Sequence, residues 1–134
     1  MDLASNLGKL LLRLTLGGLI LLHGVAKLHT APVMIMEHLA EAGFPSALGY
    51  LVYVGEVLAP LLLIVGLWTR AAALIVAINM VVAVLLVHRG QLGELSESGG
   101  WALELQGFYF FTAVAIMLLG AGRFSVGGAG GRLN

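Results

Sequence analysis

The chain has 134 residues, of which 60% are hydrophobic and only 10% are charged, with a formal net charge of zero and no cysteine. A soluble domain of this length needs a mostly polar surface, so most of these apolar residues are expected to face lipid. The balanced charge argues against nucleic acid as a partner, and the lack of cysteine excludes disulfides, thiol catalysis and thiolate metal ligands.

Four apolar stretches of helical length follow one another along the chain. Each approaches the ~20 residues that an α-helix needs to cross ~30 Å of hydrocarbon, and stretches of this length are too few for a closed β-barrel. They cover residues 7–28, 48–67, 71–87 and 101–119. The sequence therefore predicts an all-α membrane protein. Residues 1–123 are expected to form a four-transmembrane-helix antiparallel bundle, and residues 124–134 a flexible, glycine-rich cytoplasmic tail.

One side of the first span combines charged residues with glycines. At spacings of four, three, four and three residues, this side presents Arg13, Gly17, Ile20, Gly24 and Lys27, with His23 next to it. A charge at the bilayer centre costs ~2.5–3.5 kcal/mol, so this side is expected to face the other helices. No small-residue cleavage pattern follows, so the stretch is interpreted as a span rather than a signal peptide.

The connection after the first span contains a helix signal of its own. Thr30 can cap a helix, Pro32 suits a first turn, and Gly43 with the following Phe44 and Pro45 would end it. Apolar residues recur at helical spacing between these signals. The pattern predicts a short helix that either lies on the outer membrane surface as an interfacial helix or packs over the bundle as a lid.

The second span contains an ionisable residue near its middle. Glu56 lies there, with Tyr53 one turn towards the outer side and Pro60 one turn towards the inner side. Because Pro60 has no N–H, it cannot donate a hydrogen bond to the carbonyl of Glu56, so a kink and a free acceptor are expected beside the carboxyl group. A polar pocket is predicted at this point.

The distribution of basic residues predicts the orientation of the bundle. Only Trp68, Thr69 and Arg70 separate the second and third spans, which must therefore form a tight antiparallel hairpin. One side of the membrane carries Lys9, Arg13, Arg70, Arg123 and Arg132, whereas the other carries Lys27 and Arg89. The positive-inside rule then places both termini of this multi-pass protein in the cytoplasm.

The third and fourth spans add ionisable groups at the outer side, because His88 ends the third span and Glu104 begins the fourth. A ligand-binding cavity is predicted in the outer half of the bundle, formed by His23, Lys27, Tyr53, Glu56, His88 and Glu104. Structural polar roles are predicted for Arg13, Asn79, Arg70 and Arg123. The alternative for Lys27, His88 and Glu104 is that each only reaches the lipid headgroups. No local pair such as Glu-x-x-His occurs, so no metal site is predicted.

Several segments carry a resemblance to a known family. They are LLRLTLGGLILLHGVAKL in the first span, GFP before the second, VGEVLAPLLLIVGLWTRAAAL through the hairpin, the stretch from Asn79 to His88, and GAGRFS after the fourth span. In this order they resemble the DoxX family of small bacterial membrane proteins. The positions that match the family pattern are Arg13, His23, Gly24, Lys27, Glu56, Arg70, His88 and Arg123.

The resemblance implies a four-helix bundle in the bacterial cytoplasmic (inner) membrane. It also implies a role as subunit or partner of a membrane oxidoreductase, since relatives include a subunit of a quinone-linked thiosulfate oxidoreductase. The first hypothesis is thus a subunit that binds a quinone or small redox substrate among His23, Lys27, Glu56 and His88. With no covalent cofactor evident, electrons would come from a redox partner protein or a bound cofactor.

Two other hypotheses remain open. The chain could be a non-catalytic membrane anchor or assembly partner that recruits a soluble oxidoreductase, with its buried charges setting the helix register. It could also be a small transporter, which would have to form a homodimer to build a path. The quinone content of purified protein would separate the first hypothesis from the anchor.

Overall fold

The computed structural model describes residues 2–30 and 32–134, and its regular structure is helical. The α-helices are α1 (Leu3–Thr30), α2 (Val33–Glu41), α3 (Ala59–Val65), α4 (Thr69–Val87) and α5 (Glu104–Leu119). A 3-10 segment (Ser46–Leu51) and a π-helical turn (Val54–Leu58) lead into α3, and a short 3-10 turn (Arg89–Gln91) follows α4. No β-strand occurs in the described residues, so the predicted all-α class is confirmed.

Three segments are long and apolar enough to cross a membrane by length and composition. They are α1, the continuous segment Ser46–Val65 and α4, whereas α5 is apolar but has 16 residues. At 1.5 Å per residue, α5 is about 24 Å long. Large apolar side chains cover the outside of the helices, including Leu22 at 68% and Phe108 at 74% exposure. A surface of this kind suits lipid rather than water.

Small side chains let the helices pack closely in the core. The most deeply buried apolar residues of the central cluster are Leu16, Ile20, Ala59, Leu63, Ala72, Ala73, Val76, Ala113 and Ile116. Alanine dominates on α4, where its short side chain allows the backbones of neighbouring helices to approach, as is common between helices in lipid. The core therefore unites α1, the second span, α4 and α5.

The glycines of α1 determine how this helix sits on the second span. A Cβ atom on Gly24 would stand 2.1 Å from the carbonyl oxygen of Glu56, and one on Gly17 would stand 2.9 Å from that of Pro60. Both positions must therefore lack a side chain for α1 to pack at this distance. The predicted disturbance before Pro60 takes the form of the π-helical turn, in which the Ala59 N–H donates to the oxygen of Val54.

Arg13 is completely buried beside the C-terminal end of α3. Its Nη1 donates to the carbonyl oxygens of Leu63 at 3.0 Å and Ile64 at 3.4 Å, and its Nη2 donates to that of Phe124. The last carbonyls of a helix have no partner within the helix and carry partial negative charge, so they suit a guanidinium. Arg13 therefore stabilises a helix end inside the bundle, where protein covers it completely.

The turn between α3 and α4 is as tight as predicted and needs two left-handed residues, Gly66 at φ 75° and Trp68 at φ 48°. The segment after α5 folds back onto this turn. The Val126 N–H donates to the oxygen of Val65 at 3.0 Å, and the Gly127 N–H donates to that of Gly66 at 2.9 Å. The flexibility predicted for residues 124–134 stays a prediction.

On the opposite side of the bundle, α2 packs against the 3-10 segment that precedes the second span. A Cβ atom on Gly49 would stand 2.5 Å from Cγ of Met36, so this glycine makes room for the methionine. Leu39 of α2 is buried, whereas Val33 and Met34 are exposed. The short helix predicted after the first span is therefore present, with one side packed and another, apolar side uncovered.

Candidate functional site

The centre of the candidate site is an ion pair between α1 and the π-helical turn. Nζ of Lys27 lies 2.8 Å from Oε1 and 2.7 Å from Oε2 of Glu56. The carboxylate side chain is 6% exposed and the lysine side chain 30% exposed. Lys27 thus supplies the counter-charge that a carboxylate in the middle of an apolar span requires.

Asn79 joins this pair from α4. Its Nδ2 donates to Oε1 of Glu56 at 3.3 Å, and its side chain lies directly over Gly55, where a Cβ atom would stand 2.6 Å from Cγ of Asn79. The glycine before Glu56 therefore leaves the space through which the amide reaches the carboxylate. The carboxyl group of Glu56 therefore connects the π-helical turn to α1 through Lys27 and to α4 through Asn79.

Tyr53 supports the site from outside. Its hydroxyl donates to the main-chain oxygen of Lys27 at 2.9 Å, near the end of α1. This bond ties the backbone that carries the lysine to the start of the second span. Tyr53 is therefore placed to position Lys27, while its ring does not belong to the cavity wall.

A cavity of about 220 Å³ opens beside the ion pair between α1, α4 and α5. Its wall consists of Ile20, His23, Lys27, Glu56, Met80, Ala83, His88, Leu105, Gln106 and Tyr109. Of the residues predicted to bind a ligand, His23, Lys27, Glu56 and His88 meet here. The structure does not bring Tyr53 and Glu104 to this wall; Glu104 is exposed, and its carboxylate lies against Gly100.

The two histidines lie where the cavity opens. His23 is exposed, and its ring stands edge-on to that of Tyr109, with 6.2 Å between centroids and an interplanar angle of 77°. His88 follows the last residue of α4, and its Nδ1 lies 2.9 Å from Oε1 of Gln91.

Tyr109 and Gln106 are wall residues that the sequence reasoning missed. In the fourth span, Glu104 is the residue with a charged side chain and was therefore predicted to bind the ligand, whereas Gln106 and Tyr109 carry no formal charge. A signal was present, because Gln106, Tyr109, Ala113 and Ile116 recur at spacings of three, four and three and form one side of a helix. That side contains the buried residues of α5, so its polar members face the bundle.

The wall combines hydrogen-bond donors with one carboxylate. The ammonium group of Lys27 has three N–H donors, of which the ion pair engages two, and Tyr109 and Gln106 add a hydroxyl and an amide. Such a set can hold the carbonyl or hydroxyl oxygens of a small polar ring. Among residues 2–30 and 32–134, no group of three or more His, Asp or Glu side chains could hold a metal ion.

The family model described as DoxX matches residues 8–89. The matched segment runs from α1 to the end of α4, so it includes Lys27, Glu56, Asn79 and His88. Helix α5, with Gln106 and Tyr109, lies beyond it. No curated protein sequence and no solved structure matches the chain.

Proposed function

The chain belongs to the DoxX family, and from this premise we propose that it is the membrane subunit of a quinone-linked oxidoreductase system. The observation that carries the proposal is the cavity beside the Lys27–Glu56 pair. It combines a charged pair, two imidazoles, a tyrosine and a glutamine with four apolar side chains. Perturbed or paired ionisable groups within a lipid-facing bundle indicate a functional site.

The dimensions of the cavity favour the head group of a quinone. Its ~220 Å³ is below the ~300–1,000 Å³ of sites for drug-sized ligands, so it suits a single substituted ring. The apolar tail would continue between α1 and α5 into the lipid. Lys27, Tyr109 and Gln106 would donate hydrogen bonds to the ring oxygens, while Ile20 and Met80 would contact its apolar faces.

A bound quinone would supply the capacity to accept two electrons and two protons. The residues of this chain would orient the ring and deliver protons. Glu56, held by Lys27 and Asn79, is the internal carboxyl group, and in the proposed orientation His23 and His88 would carry protons between it and the outer solvent. Electrons would come from a redox partner protein.

We propose the following placement in the bacterial cytoplasmic membrane. Helix α5 crosses as the fourth span, because its buried side belongs to the same core as the other three segments and a short span is accommodated by local thinning of the bilayer. Helix α2 lies in the outer interface with Val33 and Met34 towards lipid. Both termini are cytoplasmic, as the distribution of Lys and Arg predicts.

The orientation has a direct test. A reporter that is active only in the cytoplasm should be active when fused after Arg123 and silent when fused after Glu41 or Glu94. The expected bias rests on five basic residues at one end of the bundle against two at the other. Activity only at the Glu41 and Glu94 fusions would reverse the proposed orientation.

Quinone binding should depend on the hydroxyl of Tyr109. In lipid nanodiscs, wild-type protein is expected to bind a short-chain quinone, and Tyr109→Phe should bind it about fivefold to tenfold more weakly, since a lost hydrogen bond costs ~1 kcal/mol. Tyr50→Phe is the matched control, because Tyr50 is exposed and lies outside the cavity wall. Equal binding by all three proteins would argue against this site.

The ion pair also favours a second function, that of a non-catalytic membrane anchor or assembly partner. Glu56 already has Lys27 and Asn79 as partners, so the pair can hold helix register without any ligand. Co-purification of a soluble oxidoreductase with protein that binds no quinone would favour the anchor. A dimeric transporter would instead move a solute without any redox partner.

A further inference from the structure

A second pocket lies at the other end of the bundle from the Lys27–Glu56 cavity. Arg70, in the wall of this pocket, lies in the first turn of α4, and His88, in the wall of the first cavity, follows its last residue. The two residues are therefore separated by about 27 Å of helical rise. The pocket has a volume of about 370 Å³ and is lined by Asn6, Lys9, Arg70, Leu119, Gly120, Ala121, Gly122, Arg123, Ala129 and Asn134. Three of these residues are cationic and none has an acidic side chain.

The structure holds Arg70 in a defined position. Its Nη1 donates to the carbonyl oxygens of Met117 at 2.9 Å and Leu118 at 3.0 Å, at the C-terminal end of α5. This leaves Nη2 at the pocket, 2.9 Å from the place where a Cβ atom on Gly120 would stand. One edge of the guanidinium thus stabilises the helix end, and the other faces the pocket.

The loop after α5 places the other two cations. Gly120 and Gly122 both have φ of +80°, a conformation that glycine adopts without strain. A Cβ atom on Gly122 would stand 3.1 Å from Cδ of Lys9, which is buried to 7% exposure. The N–H of Arg123 donates to Oδ1 of Asn6 at 2.8 Å, so the backbone of this arginine is tied to α1.

The guanidinium of Arg123 is available to a ligand. Its side chain is exposed and lies over the ring of Phe124 at 5.8 Å, without a hydrogen bond to any described residue. The acidic residue nearest to Lys9 in sequence is Asp2, whose Oδ1 accepts a hydrogen bond from the Ser5 N–H at 2.9 Å. Asn134 forms another wall, and its main-chain oxygen accepts from the Ala121 N–H at 2.6 Å.

We propose that this pocket binds a phosphate group, carried either by an anionic phospholipid or by free phosphate. Guanidinium and ammonium groups around one concave surface are the usual partners of phosphate oxygens. The place fits a lipid headgroup, because Arg70 follows the exposed Trp68 at the end of two spans, where tryptophan marks the membrane interface. The bound anion would join α1, the α3–α4 turn and the segment after α5.

The experiment uses the full chain in detergent and compares phosphatidylglycerol with phosphatidylcholine as added lipid. Binding is measured by native mass spectrometry and by the shift in Tm, and inorganic phosphate is titrated in a separate series. We expect Arg123→Gln to bind phosphatidylglycerol about fivefold more weakly, the effect of ~1 kcal/mol per basic residue. Arg123→Lys keeps the charge and should retain most of the binding.

Arg132→Gln is the matched control, because Arg132 is exposed, lies outside the pocket and makes the same change in net charge. A preference for phosphatidylglycerol that Arg123→Gln loses and Arg132→Gln keeps supports a lipid site. A Tm rise with millimolar phosphate, lost in the same variant, supports free phosphate. Two results would overturn the proposal. One is an equal loss of phosphatidylglycerol binding in Arg123→Gln and Arg132→Gln. The other is wild-type protein that neither prefers phosphatidylglycerol to phosphatidylcholine nor gains Tm with phosphate. Quinone binding is expected to be unchanged in each variant.

Discussion

Glu56→Gln is expected to lower the free energy of unfolding by about 3 kcal/mol. The substitution removes the counter-charge of Lys27 while keeping the volume of the side chain, and loss of one partner of a buried ion pair costs ~3–5 kcal/mol. The lower end of that range applies because the lysine side chain is 30% exposed. Reversible unfolding in mixed detergent micelles measures the change.

The double variant Glu56→Gln with Lys27→Met separates the ion pair from other roles of the carboxyl group. Removal of both charges should return stability to within about 1 kcal/mol of wild type, because no unpaired ammonium remains. Glu104→Gln provides the control, since this carboxylate is exposed and lies outside the cavity wall.

The same variants also test the proposed function. A stable double variant that no longer binds quinone would support a ligand role for the pair in addition to its structural role. A Glu56→Gln protein with unaltered stability and unaltered quinone binding would contradict both roles of the pair.

Gly24→Ala should lower the free energy of unfolding by a similar amount, because it disturbs the packing of α1 on the second span. The new Cβ atom would stand 2.1 Å from the carbonyl oxygen and 2.6 Å from the carbonyl carbon of Glu56. Because both atoms belong to the backbone, no side-chain rotation relieves the overlap and α1 must move. We expect a loss of about 3 kcal/mol, the upper part of the usual range for overpacking, together with weaker pairing of Lys27 and Glu56.

Gly18→Ala is the matched control for this prediction. It lies in the same helix, and a Cβ atom there would meet nothing within 4 Å. Alanine favours helix over glycine by up to ~1 kcal/mol, so this variant should be as stable as wild type or slightly more stable. Similar losses in Gly18→Ala and Gly24→Ala would show that the close approach of Gly24 to Glu56 has no special importance.

Hydrophobic length and periodicity determined the class of this protein and the faces of its helices. Apolar stretches of about 20 residues can only be helices in lipid, and a three-residue connection allows only a hairpin. Pro60 marked the disturbed backbone beside Glu56 because it lacks an N–H, and the spacing of Gly17, Gly24 and Lys27 placed them on one side of α1. These are local properties of the chain.

The partners of each polar group depended on the tertiary structure. The sequence placed His23, Lys27 and Glu56 in one cavity without pairing them. The close contact of Gly24 with the Glu56 carbonyl sets the axial position of α1, and at this position Lys27 pairs with Glu56. The rotation of α5 brought Gln106 and Tyr109 to the cavity and left Glu104 outside. The partner of Arg13, for which a structural polar role was predicted, is a carbonyl group of α3 fifty residues away in sequence. Periodicity specifies which side of a helix is buried, but the relative height and rotation of two helices arise from contacts between residues distant in sequence, which no local pattern contains.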